Sequence, residues 1–221
     1  MSAGSQPAAE AHPSEVVFGT ALADLEAIFD PDVQLATAPL RIPAEVSEHL
    51  NEGRSGWQWR QTVDMDSNHE PNLAQLRSLK ASAAAGVEAL RDVAVEVLEV
   101  MALLFGVDAL GVRVADATHP PCPRFHVDKV AVRGVLTLVG QGSDYLLDSE
   151  VDRSKLGHAA EGRPDEESGL IRPGAGPRRL DGGLLCLFKG DDWASNAGRG
   201  IVHRSPPHDG RRRWVLTVDL L

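Results

Sequence analysis

The chain changes texture at Gly106, and that change constrains its fold more than any other feature. Before it, Val87, Leu90, Val93, Val97, Val100, Met101 and Leu104 recur every three or four residues, the period that gives a helix one apolar face. The pattern predicts a helix over residues 76–105, with Gly86 as a break point and Gly106 as its stop. After Gly106 the period becomes two. Gly111-Val112-Arg113-Val114-Ala115-Asp116 alternates, residues 130–139 are β-branched and apolar up to Gly140, and Leu184-Leu185-Cys186-Leu187-Phe188 follows a turn at Asp181-Gly182-Gly183. The chain closes on a similar run over 214–221. These segments read as strands. Upstream, Leu22, Leu25, Ile28 and Phe29 suggest a helix over 16–29, stopped at Asp30-Pro31, then a strand over 33–37 and a helix over 43–50 with Pro43 in its first turn. Residues 51–72 are polar and irregular, with Trp57 and Trp59 as anchors, and 148–176 form a long Gly- and Pro-rich loop of the kind that is functional or disordered. Residues 1–14 have a disordered composition. The expectation is an α+β fold in one domain over 15–221, with a mainly helical part (15–106) packed on a β core (107–221).

A chain of 221 residues is long enough for one good core. Its net charge of -10 argues against general nucleic-acid binding, which needs a basic surface. Arg199, Arg204, Arg211, Arg212 and Arg213 nevertheless cluster in sequence, which reads either as a basic patch for a small anionic ligand or as a solvated turn. The expected partner is a small-molecule substrate, with neither nucleic acid nor membrane. No stretch approaches the roughly 18 apolar residues of a membrane span, and the start lacks a basic region and an apolar core. Cys122 and Cys186 sit in unlike contexts, so a disulfide framework is not expected and a reducing cytoplasm is the expected location.

Chemistry concentrates in His126-Val127-Asp128. Alternate residues on a strand point the same way, so His126 and Asp128 can reach one metal ion. His203, in Ile201-Val202-His203-Arg204-Ser205-Pro206, lies 77 positions downstream and would complete two histidines and a carboxylate. Such a set suits iron(II), and zinc, manganese or nickel would also bind it. A double-stranded β-helix (jelly roll, cupin-like) would bring these ligands together at an open mouth. An arginine on a later strand would hold the carboxylate of a co-substrate with two parallel hydrogen bonds. Cys122 is either a small packed cysteine or a metal or redox neighbour, and with His119 it is a candidate extra ligand that would favour zinc.

The order of these parts resembles the iron(II)- and 2-oxoglutarate-dependent oxygenase superfamily. There a Gly-Asp-bearing apolar strand precedes the distal histidine, as Asp181-Gly182-Gly183-Leu184-Leu185-Cys186-Leu187-Phe188 does here, and an arginine follows. Arg213, ten residues beyond His203, is the match, with Arg211 on the same strand face as the alternative and Arg212 on the other. The resemblance implies Fe(II) and 2-oxoglutarate as cofactors, His126, Asp128 and His203 as metal ligands, and oxidation of a small molecule. Val215 stands where some of these oxygenases have a serine two beyond the arginine, so Thr217 or Tyr145 would supply the remaining hydroxyl. More narrowly, the chain is similar to a bacterial family known only as domain of unknown function 1826. That likeness rests on Cys122-Pro123-Arg124-Phe125-His126-Val127-Asp128, Lys189-Gly190 before Trp193, His203-Arg204-Ser205-Pro206-Pro207 and Arg213-Trp214-Val215-Leu216-Thr217-Val218-Asp219. The alternative function is that of a non-catalytic zinc protein on the same fold.

Overall fold

The computed structural model describes residues 15–82, 85–157 and 162–221; the expected tail over 1–14 lies outside them. Three helices are α1 (Ala44–Asn51), α2 (Leu73–Leu76) and α3 (Val87–Phe105), and ten strands are β1 (Val16–Phe18), β2 (Leu35–Pro39), β3 (Gln58–Asp64), β4 (Ala109–Asp116), β5 (Val132–Val139), β6 (Asp144–Leu146), β7 (Arg178–Arg179), β8 (Leu184–Lys189), β9 (Val202–Arg204) and β10 (Trp214–Leu220). Seven strands form one sheet in the order β1-β2-β8-β5-β10-β4-β3, and three form a second in the order β7-β6-β9. The protein is a mixed α/β fold with one large sheet.

Helix α3 explains the periodicity before Gly106. Its buried side, Leu90, Val93, Ala94, Val97, Leu98, Met101 and Ala102, packs in one cluster with Leu110, Val112 and Val114 of β4, Leu136 of β5, Leu185 and Leu187 of β8, and Leu216 and Val218 of β10. A buried leucine of this kind contributes about 1.5–3 kcal/mol through its transfer from water. Gly134 lets the helix come close, since a Cβ there would lie 3.0 Å from the Met101 sulfur. Gly86 starts the helix with φ 95°, a left-handed value that glycine adopts without strain. Among the described residues no helix is long and apolar enough to cross a membrane.

The mainly helical N-terminal half is corrected by the structure. Val16–Phe18 is a strand parallel to β2, Leu22–Phe29 is a 3-10 helix, and the supposedly irregular segment contains β3, an edge strand paired with β4. Sheet hydrogen bonding overrides the helical spacing of residues 16–18, because Glu15 and the strand beyond it dock against Gln34 and Leu35. The half thus supplies three of the seven strands of the large sheet.

The opposite face of the large sheet positions the site. Register places Arg133 beside Asp219, Val135 beside Thr217 and Thr137 beside Val215, with Arg133 beside Phe188 and Val135 beside Cys186 on the other edge. These residues face away from α3, toward the second sheet. Val135, Cys186, Phe188 and Val215 pack there with Tyr145, Leu180 and Ile201. Along the chain from β4, segments pass from one sheet to the other: β5, β8 and β10 lie in the large sheet, and β6, β7 and β9 in the second.

Candidate metal centre and cavity

A single pair of backbone contacts brings the two distant histidines together. His126 N–H donates to the His203 carbonyl at 3.0 Å, and His203 N–H donates to the His126 carbonyl at 3.0 Å, so residue 126 pairs antiparallel with β9. Directly opposed residues project their side chains on one side of the sheet, and the two imidazoles lie with ring centroids 4.5 Å apart. Asp128, on the same face two residues on, places Oδ1 at 3.6 Å from His126 Nε2 and Oδ2 at 3.4 Å from His203 Nε2. One ligand atom from each of His126, Asp128 and His203 lies within 4.8 Å of the others.

The surroundings fit these groups for a metal ion. Nδ1 of His126 lies 3.0 Å from the Arg124 carbonyl, and Nδ1 of His203 lies 3.1 Å from the Ile201 carbonyl. A carbonyl only accepts, so both Nδ1 atoms carry hydrogen, and each Nε2 is the atom that can give up its proton to present a lone pair. Asp128 Oδ2 is buried with no hydrogen-bond partner, a costly state unless something else engages it. Its Oδ1 accepts from Arg133 Nη1 at 2.9 Å, and Arg133 is fixed in turn by Asp219 at 2.6 and 3.0 Å. Burial opposes ionisation of Asp128, yet His126, His203 and Arg133 hold its carboxyl well below the usual carboxylate range. Burial likewise opposes a charge on His126, but Asp128 and Cys122 outweigh it and push the imidazole up to about 10.

A cavity of about 590 Å³ opens beside these ligands, lined by His126, His203, Arg133, Arg213, Thr217 and Phe188 among others. Arg213 is buried. Its Nε donates to the Gln141 carbonyl at 2.8 Å and its Nη2 to Ser143 Oγ at 3.3 Å. It makes no ion pair within 4 Å among the described residues, and burial lowers its guanidinium to about 10.

Other expected site residues fall elsewhere. Arg211 is exposed and its Nε faces Asp209 at 3.9 Å; β10 starts only at Trp214, so strand parity does not extend back to residue 211. Arg212 binds the Asn51 and Gly53 carbonyls on the outer side. Tyr145 is packed in the inter-sheet core and is absent from the cavity wall, where Ser143 and Ser205 supply hydroxyls instead. Thr217 does line the cavity. His119 sits against His208 with centroids 5.4 Å apart and is not in the ligand cluster. Cys122 is also outside that cluster but lines the cavity as an exposed thiol, and its bond to His126, outweighing burial, lowers its pKa.

One element of the site had no sequence signal. Asp165 is buried and accepts from Arg124 Nε at 2.7 Å, Phe125 N at 2.8 Å and Arg204 Nη1 at 3.2 Å, which clamps the segment leading to His126. On either side of it in the chain, Val151 and Leu170 pack with Phe125, Leu146 and Val202. Arg133, on the strand that follows the H-x-D triplet, pairs with Asp128, a partner that its strand position already suggested.

Residues 19–219 match the family described as protein of unknown function (DUF1826), and the chain belongs to that family. None of the curated proteins matches. Solved structures with a similar shape include dioxygenase for auxin oxidation 1 from Arabidopsis thaliana in complex with 2-oxoglutarate, at 12% identity over 93% of this chain and 91% of that one, with a TM-score of 0.46. A prolyl-4-hydroxylase from Pseudomonas putida is similar at 16% identity over 90% and 97%, TM-score 0.41. An oxidoreductase of the 2OG-Fe(II) oxygenase family from Burkholderia pseudomallei is similar at 11% identity over 92% and 93%, TM-score 0.43.

Proposed function

We propose that this protein is an iron(II)- and 2-oxoglutarate-dependent oxygenase on a jelly-roll core, acting on a small molecule. The observation that carries the reading is the pairing of two unmet needs in one cavity. Asp128 Oδ2 is buried without a hydrogen-bond partner, 3.4 Å from His203 Nε2, and Arg213 is a buried cation with no ion pair within 4 Å among the described residues. The first suits a divalent metal, the second a carboxylate, and 2-oxoglutarate is a carboxylate that chelates a metal.

In this reading His126, Asp128 and His203 would hold iron(II) through Nε2, a carboxylate oxygen and Nε2. Arg133 orients the Asp128 carboxylate through Oδ1. Arg213, with Ser143 and Thr217 nearby on the cavity wall, receives the distal carboxylate of 2-oxoglutarate. Val215 and its cross-strand neighbour Ala115 keep that end apolar, which strengthens a buried ion pair by excluding water. When bound, iron with 2-oxoglutarate and oxygen supplies oxidative decarboxylation coupled to substrate oxidation. A zinc-binding role would call on the Cys122 thiolate, but Cys122 lies outside the three-ligand group. The test is succinate release from 2-oxoglutarate with added iron(II). Iron-dependent release that disappears in His126→Ala supports the proposal; tight zinc binding with no 2-oxoglutarate binding overturns it.

A further inference from the structure

The cavity holds more positive charge than a single co-substrate carboxylate needs. Of the arginines on its wall, Arg133 is neutralised by Asp128 and Asp219, and Arg204 by Asp144, Asp165 and Glu166. Arg213 is spoken for in the proposed function. Arg60 and Arg113 remain, both lining the cavity, and among the described residues neither has a carboxylate within 4 Å. They stand directly opposite each other in the β3–β4 ladder, an arrangement in which like charges repel. Arg113 Nε is buried and has no hydrogen-bond partner, although a guanidinium is a five-donor group that is costly to leave unsatisfied.

Register sets this pair apart from the Arg213 end. Arg113 is level with Thr217 of β10, whereas the Arg213 carbonyl accepts from Ala117 N–H. Four residues of β4 separate the two levels, about 13 Å of strand. The Arg133–Asp219 pair lies beyond Thr217 from Arg213, so Arg60 and Arg113 sit toward the end of the cavity where Arg133 reaches Asp128. Apolar Val135, level with Arg113, and Phe188, packed on the His203 ring, line the wall toward the metal ligands.

We propose that Arg60 and Arg113 together anchor the carboxylate of the substrate, so that the molecule oxidised is a small organic acid whose apolar part lies toward the metal ligands. The role as substrate anchor rests on the oxygenase reading; the anion site itself does not. Two guanidinium forks around one carboxylate remove the cross-strand repulsion, satisfy Arg113 Nε and fix one end of the substrate.

Equilibrium binding tests the site without turnover. Hexanoate and, separately, inorganic phosphate are titrated calorimetrically into the full-length protein, the Arg113→Gln and Arg60→Gln variants, and Arg213→Met. Expected is hexanoate binding that weakens at least tenfold in Arg113→Gln and in Arg60→Gln, and stays within threefold of wild type in Arg213→Met. Arg60→Gln carries the test if Arg113→Gln folds poorly, because Arg60 is exposed on an edge strand. Absence of hexanoate binding overturns the proposal, as does binding indifferent to both substitutions or lost only in Arg213→Met. Phosphate binding tighter than hexanoate, and lost in both variants, overturns the carboxylate assignment. Absence of succinate release in the separate turnover assay would sink the oxygenase reading while leaving these titrations interpretable.

Discussion

Replacing Arg213 with methionine separates what the protein needs from what its ligand needs. In the ligand-free protein the guanidinium is a buried charge, and the burial that lowers it to about 10 corresponds to a folding penalty of roughly 3 kcal/mol, at about 1.4 kcal/mol for each tenfold change. Methionine keeps similar bulk and removes that penalty. Against this, the Gln141 carbonyl and Ser143 hydroxyl lose a donor, which costs about 1–3 kcal/mol when the acceptor stays buried. The opposing effects leave ligand-free stability within about 2 kcal/mol of wild type, a Tm change of no more than about 8 °C for a chain of this size. Binding of 2-oxoglutarate has no such compensation. Two charge-assisted hydrogen bonds contribute about 1.5–3 kcal/mol each, so Kd should rise by about 100-fold or more. The assay pairs thermal unfolding of ligand-free protein with anaerobic calorimetric titration of 2-oxoglutarate into metal-loaded protein. Wild-type affinity in Arg213→Met would refute the reasoning, and so would a ligand-free loss above about 4 kcal/mol, which would make Arg213 a structural residue.

Asp128→Asn should fold and lose most metal binding, since the amide is neutral and its nitrogen cannot ligate; equilibrium dialysis with iron(II) checks this, and retained stoichiometric binding would contradict the ligand assignment. Arg133→Ala frees Asp128 Oδ1 and should lower metal affinity by about 10–100-fold while the three ligands remain, read in the same dialysis. Asp165→Ala leaves the Phe125 N–H and two arginines short of an acceptor; a loss of about 3–5 kcal/mol is expected in denaturant unfolding, with weakened metal binding because His126 follows directly. Leu98→Ala, under the sheet on the far side from the site, should cost about 2–5 kcal/mol with no change in 2-oxoglutarate affinity at temperatures where the protein is folded.

The strands that the sequence shows plainly, at 111–116, 130–139, 184–188 and 214–221, overlap β4, β5, β8 and β10. All four bury one face in the cluster that contains α3, and that shared burial writes apolar residues at every second position. Strand β3 was hidden because it is an edge: only Trp59 and Val63 are buried, and Arg60 and Thr62 face the cavity. Helical spacing in Leu22, Leu25 and Ile28 was real, but it belongs to a 3-10 helix, and the preceding residues pair with β2 instead. His49, among polar neighbours in the sequence, is buried, because Ala81 N–H and Ser82 give its ring partners from a distant turn. The H-x-D triplet was visible as a pattern, yet its union with His203 depends on one long-range backbone pair that no local period encodes. The choice of Arg213 over Arg211 and Arg212 rested on its spacing from His203, and strand parity could not have supported it. The segment before Trp214 is not a strand and the register shifts at Trp214/Val215, so parity counted back from β10 has no meaning there.

The central claim is that one cavity holds a metal on His126, Asp128 and His203 and a 2-oxoglutarate carboxylate on Arg213. Anomalous diffraction from crystals grown without oxygen, with iron(II) and 2-oxoglutarate, tests it most directly. The account predicts an iron peak bonded to His126 Nε2, Asp128 and His203 Nε2, with the distal carboxylate of 2-oxoglutarate on the Arg213 guanidinium. Iron bound elsewhere, or 2-oxoglutarate seated on Arg60 and Arg113 with Arg213 still unengaged, would contradict it.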